Sequence, residues 1–331
     1  MKLGVVVDDQ WGFIRELLTD WQSRYQTRVF QFHKFQLPLL QSRVNRWRLR
    51  RSLKQFLGSN DIVFFEWAGP LLVEASHLQA RARILVRLHS FELFAYAPRI
   101  HWESVARVIL VSNTMQRHFS ELYPAAADKT VVVYNGVALE RFEKSERQFS
   151  GVVGMLGSLL PIKRVYEAIL ALYELDKLGF HLSLRIAGPA EKGADSERYY
   201  LAMQRLVRKL GLEQQVKFIG QVIDVPAFLN SVDILISNSY WEGQQVALLE
   251  AMATGCYCLA HFWDGADEVL PPENLFVTDR ELREKIISYY ELPDSEKCCL
   301  QTKMRAIAEA KFDIRTTART TREVLESVSQ R

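Results

Sequence analysis

The sequence predicts an α/β protein of two doubly wound domains, each a parallel sheet covered on both faces, with a cleft between them. Three observations carry this. Short apolar runs rich in Val, Ile and Leu alternate with segments of helical spacing, the pattern of parallel strands buried on both sides. That series occurs, ends and starts again. Between the two series lies the charged stretch "ALERFEKSERQFSG" (138–151), which reads as a linker. A length of 331 residues is ample for two cores.

The elements follow in order. The first series is "LGVVV" (3–7), "RVFQF" (28–32), "DIVFF" (61–65), "RILVRL" (83–88), "RVILVS" (107–112) and "TVVVY" (130–134). The second is "GVVGMLG" (151–157), "LSLRIAG" (182–188), "VKFIG" (216–220), "DILISN" (233–238) and "CYCLA" (256–260). The tail "KFDIRTTARTTREVLESVSQR" (311–331) reads as a final helix. In sheets of this kind ligands are expected outside the carboxyl ends of the strands.

Composition bounds the function classes. With 48% hydrophobic and 24% charged residues and no low-complexity tract, a soluble globular protein is expected. No apolar run approaches the ~18 residues of a membrane span. The start "MKLGVVVDDQ" meets Asp8 and Asp9 too early for a signal peptide and reads as a first buried strand. Cys256, Cys258, Cys298 and Cys299 match neither a disulfide framework nor a zinc spacing, so a cytoplasmic location is expected.

Charge is unevenly divided. Residues 1–150 hold 21 Lys and Arg against 14 Asp and Glu (+7), and the remainder 21 against 25 (−4). The excess gathers in "RVNRWRLRRSLKQFLG" (43–58), where Arg43, Arg46, Arg48, Arg50, Arg51 and Lys54 interleave with Trp47, Leu49, Leu53 and Phe56. Two readings fit this segment. It is a basic amphipathic helix that lies on an anionic membrane, or a half-buried helix with its apolar stripe on the core and its arginines in solvent.

Several chemistries are struck off. The loop after the first strand is "DDQWGF", not G-x-G-x-x-G, and no P-loop, H-E-x-x-H or G-x-S-x-G occurs. No D-x-D is present either, which removes the commonest carboxylate pair for a metal–diphosphate.

The informative stretch is "WEGQQVALLEAMATG" (241–255). From Gln245 the spacing turns helical, with Val246, Leu249, Met252 and Ala253 on one stripe and Gly255 as the stop. Glu242 then precedes the helix, and Glu250 lies within it beside the small residues Ala247, Ala251 and Thr254. An ionised carboxylate needs a partner there, and adjacent hydroxyls such as those of a ribose would serve; a surface salt bridge for Glu250 and an ordinary cap for Glu242 are the alternatives. The helix start at Gly243–Gln245 offers free backbone N–H groups to an anion. Upstream, "GMLGSLLPIKRVYEAILAL" puts Lys163 and Arg164 at a strand-to-helix turn, where they can clamp a phosphate. Downstream, "HFWDGADEVL" brings Gly265 and Glu268 to a third strand end.

At these residues the chain resembles the retaining glycosyltransferases of family 4, with the GT-B fold. The E-x7-E pattern at Glu242 and Glu250, followed by "ALLEAMATG", carries most of the likeness; "GSLLPIKR", "LSLRIAG", "DGADEV" and "VVYNGVALERF" (132–142) extend it. "VRLHSFE" places His89 where the family has an active-site histidine. The resemblance implies two Rossmann-like domains facing each other across a cleft: residues 1–147 on the acceptor side, 148–310 on the donor side, and a helix in 311–331 that packs back on the first. It implies that Lys163 binds the donor diphosphate, Glu242 the donor sugar and Glu250 the nucleotide ribose. Gln244–Val246, after Gly243, face sugar and phosphate through their backbone, and His89 lies beside the anomeric carbon. Ser158 stands where an arginine is usual, with Arg164 as the neighbouring cation, and Gly12 is the one glycine left for close approach in the first loop. The implied donor is a UDP- or GDP-sugar and the implied acceptor a hydroxyl of a glycan or a lipid-linked carrier. No cofactor, metal or nucleic-acid partner is expected. Alternatives on the same fold are a catalytically silent scaffold subunit and a sugar-nucleotide epimerase.

Overall fold

The computed structural model describes residues 1–8, 11–12, 14–32, 41–144, 148–190 and 193–329. Residues 9, 10 and 13 of the first loop and 145–147 of the expected linker lie outside the described residues. The chain divides into two compact units, Met1–Asn135 together with Ile314–Arg331, and Gly136–Asp313.

Unit 1 holds a six-stranded sheet: β1 (Lys2–Val7), β2 (Gln26–Val29), β3 (Ile62–Glu66), β4 (Arg83–Leu88), β5 (Val105–Leu110) and β6 (Thr130–Val132). Their order is β2-β1-β3-β4-β5-β6 and each pairing is parallel. The apolar runs explain why both faces need covering. Successive side chains of a strand point to opposite faces, so Leu3, Val5, Ile62, Phe64, Leu85 and Ile109 enter one core cluster. Their neighbours Val6, Val63, Phe65, Ile84, Val86 and Val108 enter another. The first face is closed by Leu17 and Trp21 of helix Arg15–Arg24 and by Val324, Leu325 and Val328 of helix Ile314–Ser329. The second is closed by Leu53 and Leu57 of helix Gln41–Ser59 and by Met115 and Phe119 of helix Asn113–Leu122.

The last helix begins at Ile314 rather than at 311, because Lys311 still ends helix Asp294–Lys311. Phe312 and Asp313 bridge between them, with the Val137 N–H donating to the Phe312 carbonyl at 2.7 Å. The final helix is tied to unit 1 by Tyr25, whose hydroxyl donates to Glu326 Oε1 at 2.7 Å, and by Arg322 on Asp20 at 2.8 Å. Burial, then the Glu326 carboxylate, pushes the Tyr25 hydroxyl far above its ordinary pKa.

In the basic helix Gln41–Ser59, Leu53 and Leu57 are committed to the core, and Arg46 and Arg50 reach Glu74 at 2.8 and 3.7 Å. Trp47 stays outside, 60% exposed, with Arg51 over its ring. Among the described residues no helix is long and apolar enough to cross a membrane.

Unit 2 repeats the plan with β7 (Val152–Leu156), β8 (Ser183–Ala187), β9 (Val216–Gly220), β10 (Ile234–Ser237), β11 (Tyr257–His261) and β12 (Leu275–Phe276). The order is β12-β11-β10-β7-β8-β9, again parallel throughout. The sixth strand, β12, lies outside the sequence expectation: only two residues long, it pairs at Ala260–Leu275 and His261–Phe276 and offers no alternating run to read. In each sheet the strand order reverses once, between β1 and β3 and between β7 and β10. Such switch points open a crevice at the carboxyl ends.

Candidate functional site

The switch point of unit 2 brings together two loops that the sequence separates widely. β7 ends at Leu156 and leads through Gly157, Ser158 and the short turn Pro161–Lys163 into helix Val165–Lys177. β10 ends at Ser237 and leads through Asn238, Ser239, Glu242 and Gly243 into helix Val246–Ala253. Because β7 and β10 are parallel neighbours, both loops leave the same edge of the sheet.

Backbone close to backbone fixes the first loop. A Cβ on Gly188 would lie 1.9 Å from the Gly157 carbonyl oxygen, and Gly188 itself has φ of +137°. No other residue fits there. The Gly157 N–H donates to the Ala187 carbonyl at 2.9 Å, which holds the loop against β8. Arg164 then takes a left-handed conformation, φ 49° and ψ 42°, as the residue preceding the helix.

The side chains meet as follows. The Lys163 ammonium is ion-paired with Glu242 Oε1, and the Ser239 hydroxyl donates to the same oxygen at 2.6 Å. Lys163 is 21% and Glu242 11% exposed, so solvent screens the pair only in part. The loops are also laced through their backbones: the Asn238 amide donates to the Arg164 carbonyl at 2.9 Å, and the Tyr240 N–H to the Ile162 carbonyl at 3.2 Å. Arg164 turns its guanidinium to Asp279 at 3.0 Å, at the start of helix Asp279–Glu291. Its charge is thus paired with a neighbouring carboxylate.

Helix Val246–Ala253 has no side-chain cap at Gln245, and Gln245 Oε1 is buried with no hydrogen-bond partner among the described residues. Gly243 and Gln244 are buried in the approach to that end, and Glu250 sits half-buried within the helix. On β11, His261 Nδ1 is likewise buried without a partner among the described residues; burial, and then the Arg164 charge, hold its imidazole below the ordinary pKa. Glu268 closes the short turn Ala266–Glu268 beyond Gly265, as the spacing of "DGADEV" suggests.

Two site candidates belong to unit 1. His89 follows β4, is 8% exposed and lies with Nε2 at 3.1 Å from Glu66 Oε1. Glu66 also receives Arg87, through Nε at 3.0 Å and Nη2 at 2.8 Å. Burial alone would push the Glu66 carboxyl up, but the Arg87 charge and the His89 contact outweigh it and hold it below the usual range. Trp67 stacks on the His89 ring, centroids 4.2 Å apart. Gly12 is exposed in a turn, and among the described residues a Cβ there would meet nothing within 4 Å.

In unit 2 the sequence reading missed Ser239, which grips Glu242; Asn238, which pins Arg164; Asp279, which takes its charge; and His261. The "SNS" after "DILI" was the available signal for the first two, since polar residues at a strand's carboxyl end lie where ligands bind. Among the described residues no group of three or more His, Cys, Asp or Glu is placed to hold a metal ion.

Residues 138–308, more than half of the chain, match the family described as glycosyl transferases group 1. The chain belongs to that family. Residues 12–141 match a second family description, Glycosyltransferase Family 4. A curated relative, the UDP-Gal:α-D-GlcNAc-diphosphoundecaprenol α-1,3-galactosyltransferase of Escherichia coli, is 31% identical over 145 residues. That match spans 40% of this chain and only 36% of the relative's length. Among solved structures, HepE of Anabaena in complex with UDP and glucose superposes with a TM-score of 0.79 at 22% identity, covering 98% of this chain and 99% of that one. Sucrose-phosphate synthase of Thermosynechococcus elongatus does so with 0.79 at 14% identity, covering 99% of both chains. At these identities the superpositions speak for the fold, which is GT-B.

Proposed function

We propose that this group 1 protein is a retaining glycosyltransferase that moves a sugar from a UDP-sugar to a hydroxyl of a glycan or lipid-linked acceptor, in polysaccharide, lipopolysaccharide or glycolipid synthesis. The observation that supports it most is the pairing of Lys163 with Glu242 at a strand-order reversal, beside an uncapped helix start. That is a cation, a carboxylate able to accept from hydroxyls and the N-terminal end of a helix on one sheet edge, a set suited to a nucleoside diphosphate sugar. UDP is favoured over GDP because the E. coli relative is described as using UDP-Gal and HepE was captured with UDP.

In this reading Lys163 leaves Glu242 for the donor's diphosphate, where negative charge grows as the glycosidic bond breaks. A fixed cation and helix dipole act on that charge far more than on the ground state. Glu242, steadied by Ser239, then accepts from the sugar's hydroxyls, and Glu250 from those of the ribose. The departing diphosphate takes the acceptor's proton, with no metal needed. Exposed Trp47 and its neighbouring arginines support, within the same proposal, a peripheral contact with an anionic membrane.

The test is calorimetric titration with UDP and GDP, with and without EDTA, followed by donor turnover with UDP-glucose and UDP-galactose. UDP binding that survives EDTA, with sugar release at the same anomeric configuration, is the expected result. Absence of binding by either nucleotide refutes the reading.

A further inference from the structure

The far rim of the unit 1 sheet, at the amino ends of β4 and β5, carries a cavity of about 300 Å³. Arg83, Glu103, Arg107, Lys129 and Val328 are among its lining residues. It lies at the end of the sheet away from the strands' carboxyl ends, and no residue of the Lys163 site takes part in it.

Strand geometry explains why three cations meet there. Side chains two apart on a strand share a face, and Leu85, Ile109 and Val131 all pack on the face closed by the last helix. Arg83, Arg107 and Lys129 each stand two residues before one of these, at the start of β4, near the start of β5 and just before β6. Arg107 reaches this face because of a bulge. Ile84 pairs with Val105 but Leu85 with Arg107, which leaves Ala106 as an extra residue. Without it Arg107 would align with Val86, on the opposite face. Bulges often re-aim a side chain in this way beside a functional site.

The three charges are not matched within the protein. Arg83 has no side-chain hydrogen bond or ion pair among the described residues. Arg107 Nη1 donates to the Ala106 carbonyl at 3.2 Å, and Lys129 Nζ to the Trp102 and Glu103 carbonyls at 2.9 and 3.2 Å. None of these acceptors bears a full negative charge. Glu103, the acidic residue among the described lining residues, has its side chain 89% exposed and 3.3 Å from His101. Asp61, just before β3, accepts from the Lys2 N–H at 2.8 Å, and Asp128 does not line the cavity. The end of helix Ile314–Ser329, at Val328, supplies about half a negative charge. The cations are half-buried rather than fully solvated, and like charges on adjoining strands destabilise a sheet. An anion relieves both costs.

We infer that this cavity binds the phosphate of a small phosphomonoester, with Arg83 and Arg107 donating to its oxygens and the Lys129 ammonium as a third charge beside it. Guanidinium groups match phosphate oxygens two at a time, and an ammonium adds a point charge. A volume of about 300 Å³ exceeds a bare phosphate and stands at the small end of ligand pockets. A short carbon body fits with the ion, against the apolar wall of Ala82, Ala106 and Val328.

Titration calorimetry at physiological ionic strength tests it, with glycerol 3-phosphate, glucose 6-phosphate and inorganic phosphate as probes and glucose as the uncharged control. At least one ester is expected to bind, more tightly than inorganic phosphate, and glucose not at all. Arg83→Gln, at a side chain that holds nothing else in place, is expected to weaken that ester roughly tenfold or more, the usual worth of a hydrogen bond to a charged group. Arg107→Gln should do the same. Lys163→Ala, which removes the cation of the proposed donor site, should leave the ester's affinity unchanged. Vesicles of phosphatidic acid that pellet the wild type but not Arg83→Gln would support the site and assign its phosphate to a lipid headgroup. No binding by either ester, inorganic phosphate or glucose binding as tightly as the esters, unchanged affinity in both arginine variants, or loss of binding in Lys163→Ala overturns the inference. Failure of UDP to bind the wild type would instead strike the donor reading and leave this one standing.

Discussion

Lys163 and Glu242 neutralise each other, with Ser239 as a third member on the same oxygen. On the proposed reading, the cation for the diphosphate is therefore held by the carboxylate for the sugar. That reading requires donor binding to exchange the internal pair for two external contacts.

Lys163→Ala is expected to lower donor turnover roughly 10²- to 10³-fold, the usual cost of one charge-stabilising donor at a transition state. The near-ultraviolet circular dichroism should be unchanged, because Lys163 lies in a loop and anchors no core contact. Near-normal turnover would take Lys163 out of the reaction.

Ser239→Ala removes one of the two groups on Glu242 Oε1 and leaves the other. We expect a loss of turnover about tenfold smaller than that of Lys163→Ala. Groups in one network couple, so the double variant should fall short of the sum of the two effects. Strict additivity in a double-mutant cycle would show that Ser239 acts elsewhere.

Arg87→Ala leaves Glu66 buried and uncompensated, which costs roughly 3–5 kcal/mol. The Glu66 carboxyl is held below its unfolded value, so its contribution is present above the unfolded pKa of about 4.3 and is lost as pH falls through the folded value. The wild-type advantage in urea midpoint over Arg87→Ala should therefore shrink on acidification. An advantage that stays constant down to pH 3 would contradict the pairing.

Glu92, which is 1% exposed, has the opposite sign. Burial, offset only in part by the His89 charge and nearby N–H groups, holds its carboxyl above the unfolded value. The folded protein then binds more protons in the window between the two, and stability drops as pH climbs through it. Glu92→Gln should be more stable than wild type at pH 7, and that gain should vanish below about pH 4.3. Parallel melting curves with a constant offset would mean that Glu92 is paired after all.

Leu325→Ala, fully buried on the last helix, should cost about 2–5 kcal/mol. The loss should appear in the melting of unit 1, whose core that helix completes. Hydrogen exchange in Ile314–Ser329 and in Arg15–Arg24 is the measurement, and protection unchanged in the second helix would dissociate the two.

What the residue order discloses and what it conceals have a common physical reason. Runs such as "DIVFF" and "RILVRL" announce buried strands because burial on both faces demands continuous apolarity. Lys163 and Glu242 could be expected together because both follow strands into helices, and such turns share one sheet edge. The Glu66–Arg87 pair could not, since it exists only because β3 and β4 are neighbours in register. The capture of Arg164 by Asp279 depends on where another helix begins. Glu92 was concealed for a different reason: in "HSFELFA" it has the polar-apolar mixture of any surface turn, and only the tertiary structure buries it.

The strand order of unit 2 also dictates when its binding edge comes into being. β8 and β9 can join β7 as the chain emerges, but β10 must return past them to β7's other side, bringing Glu242 across 79 residues to Lys163. Closing so long a loop is slow relative to forming local helix. In refolding from urea, helical ellipticity should recover well before the capacity to capture a nucleotide, and a chain cut after β9 should keep much of its helix while capturing none.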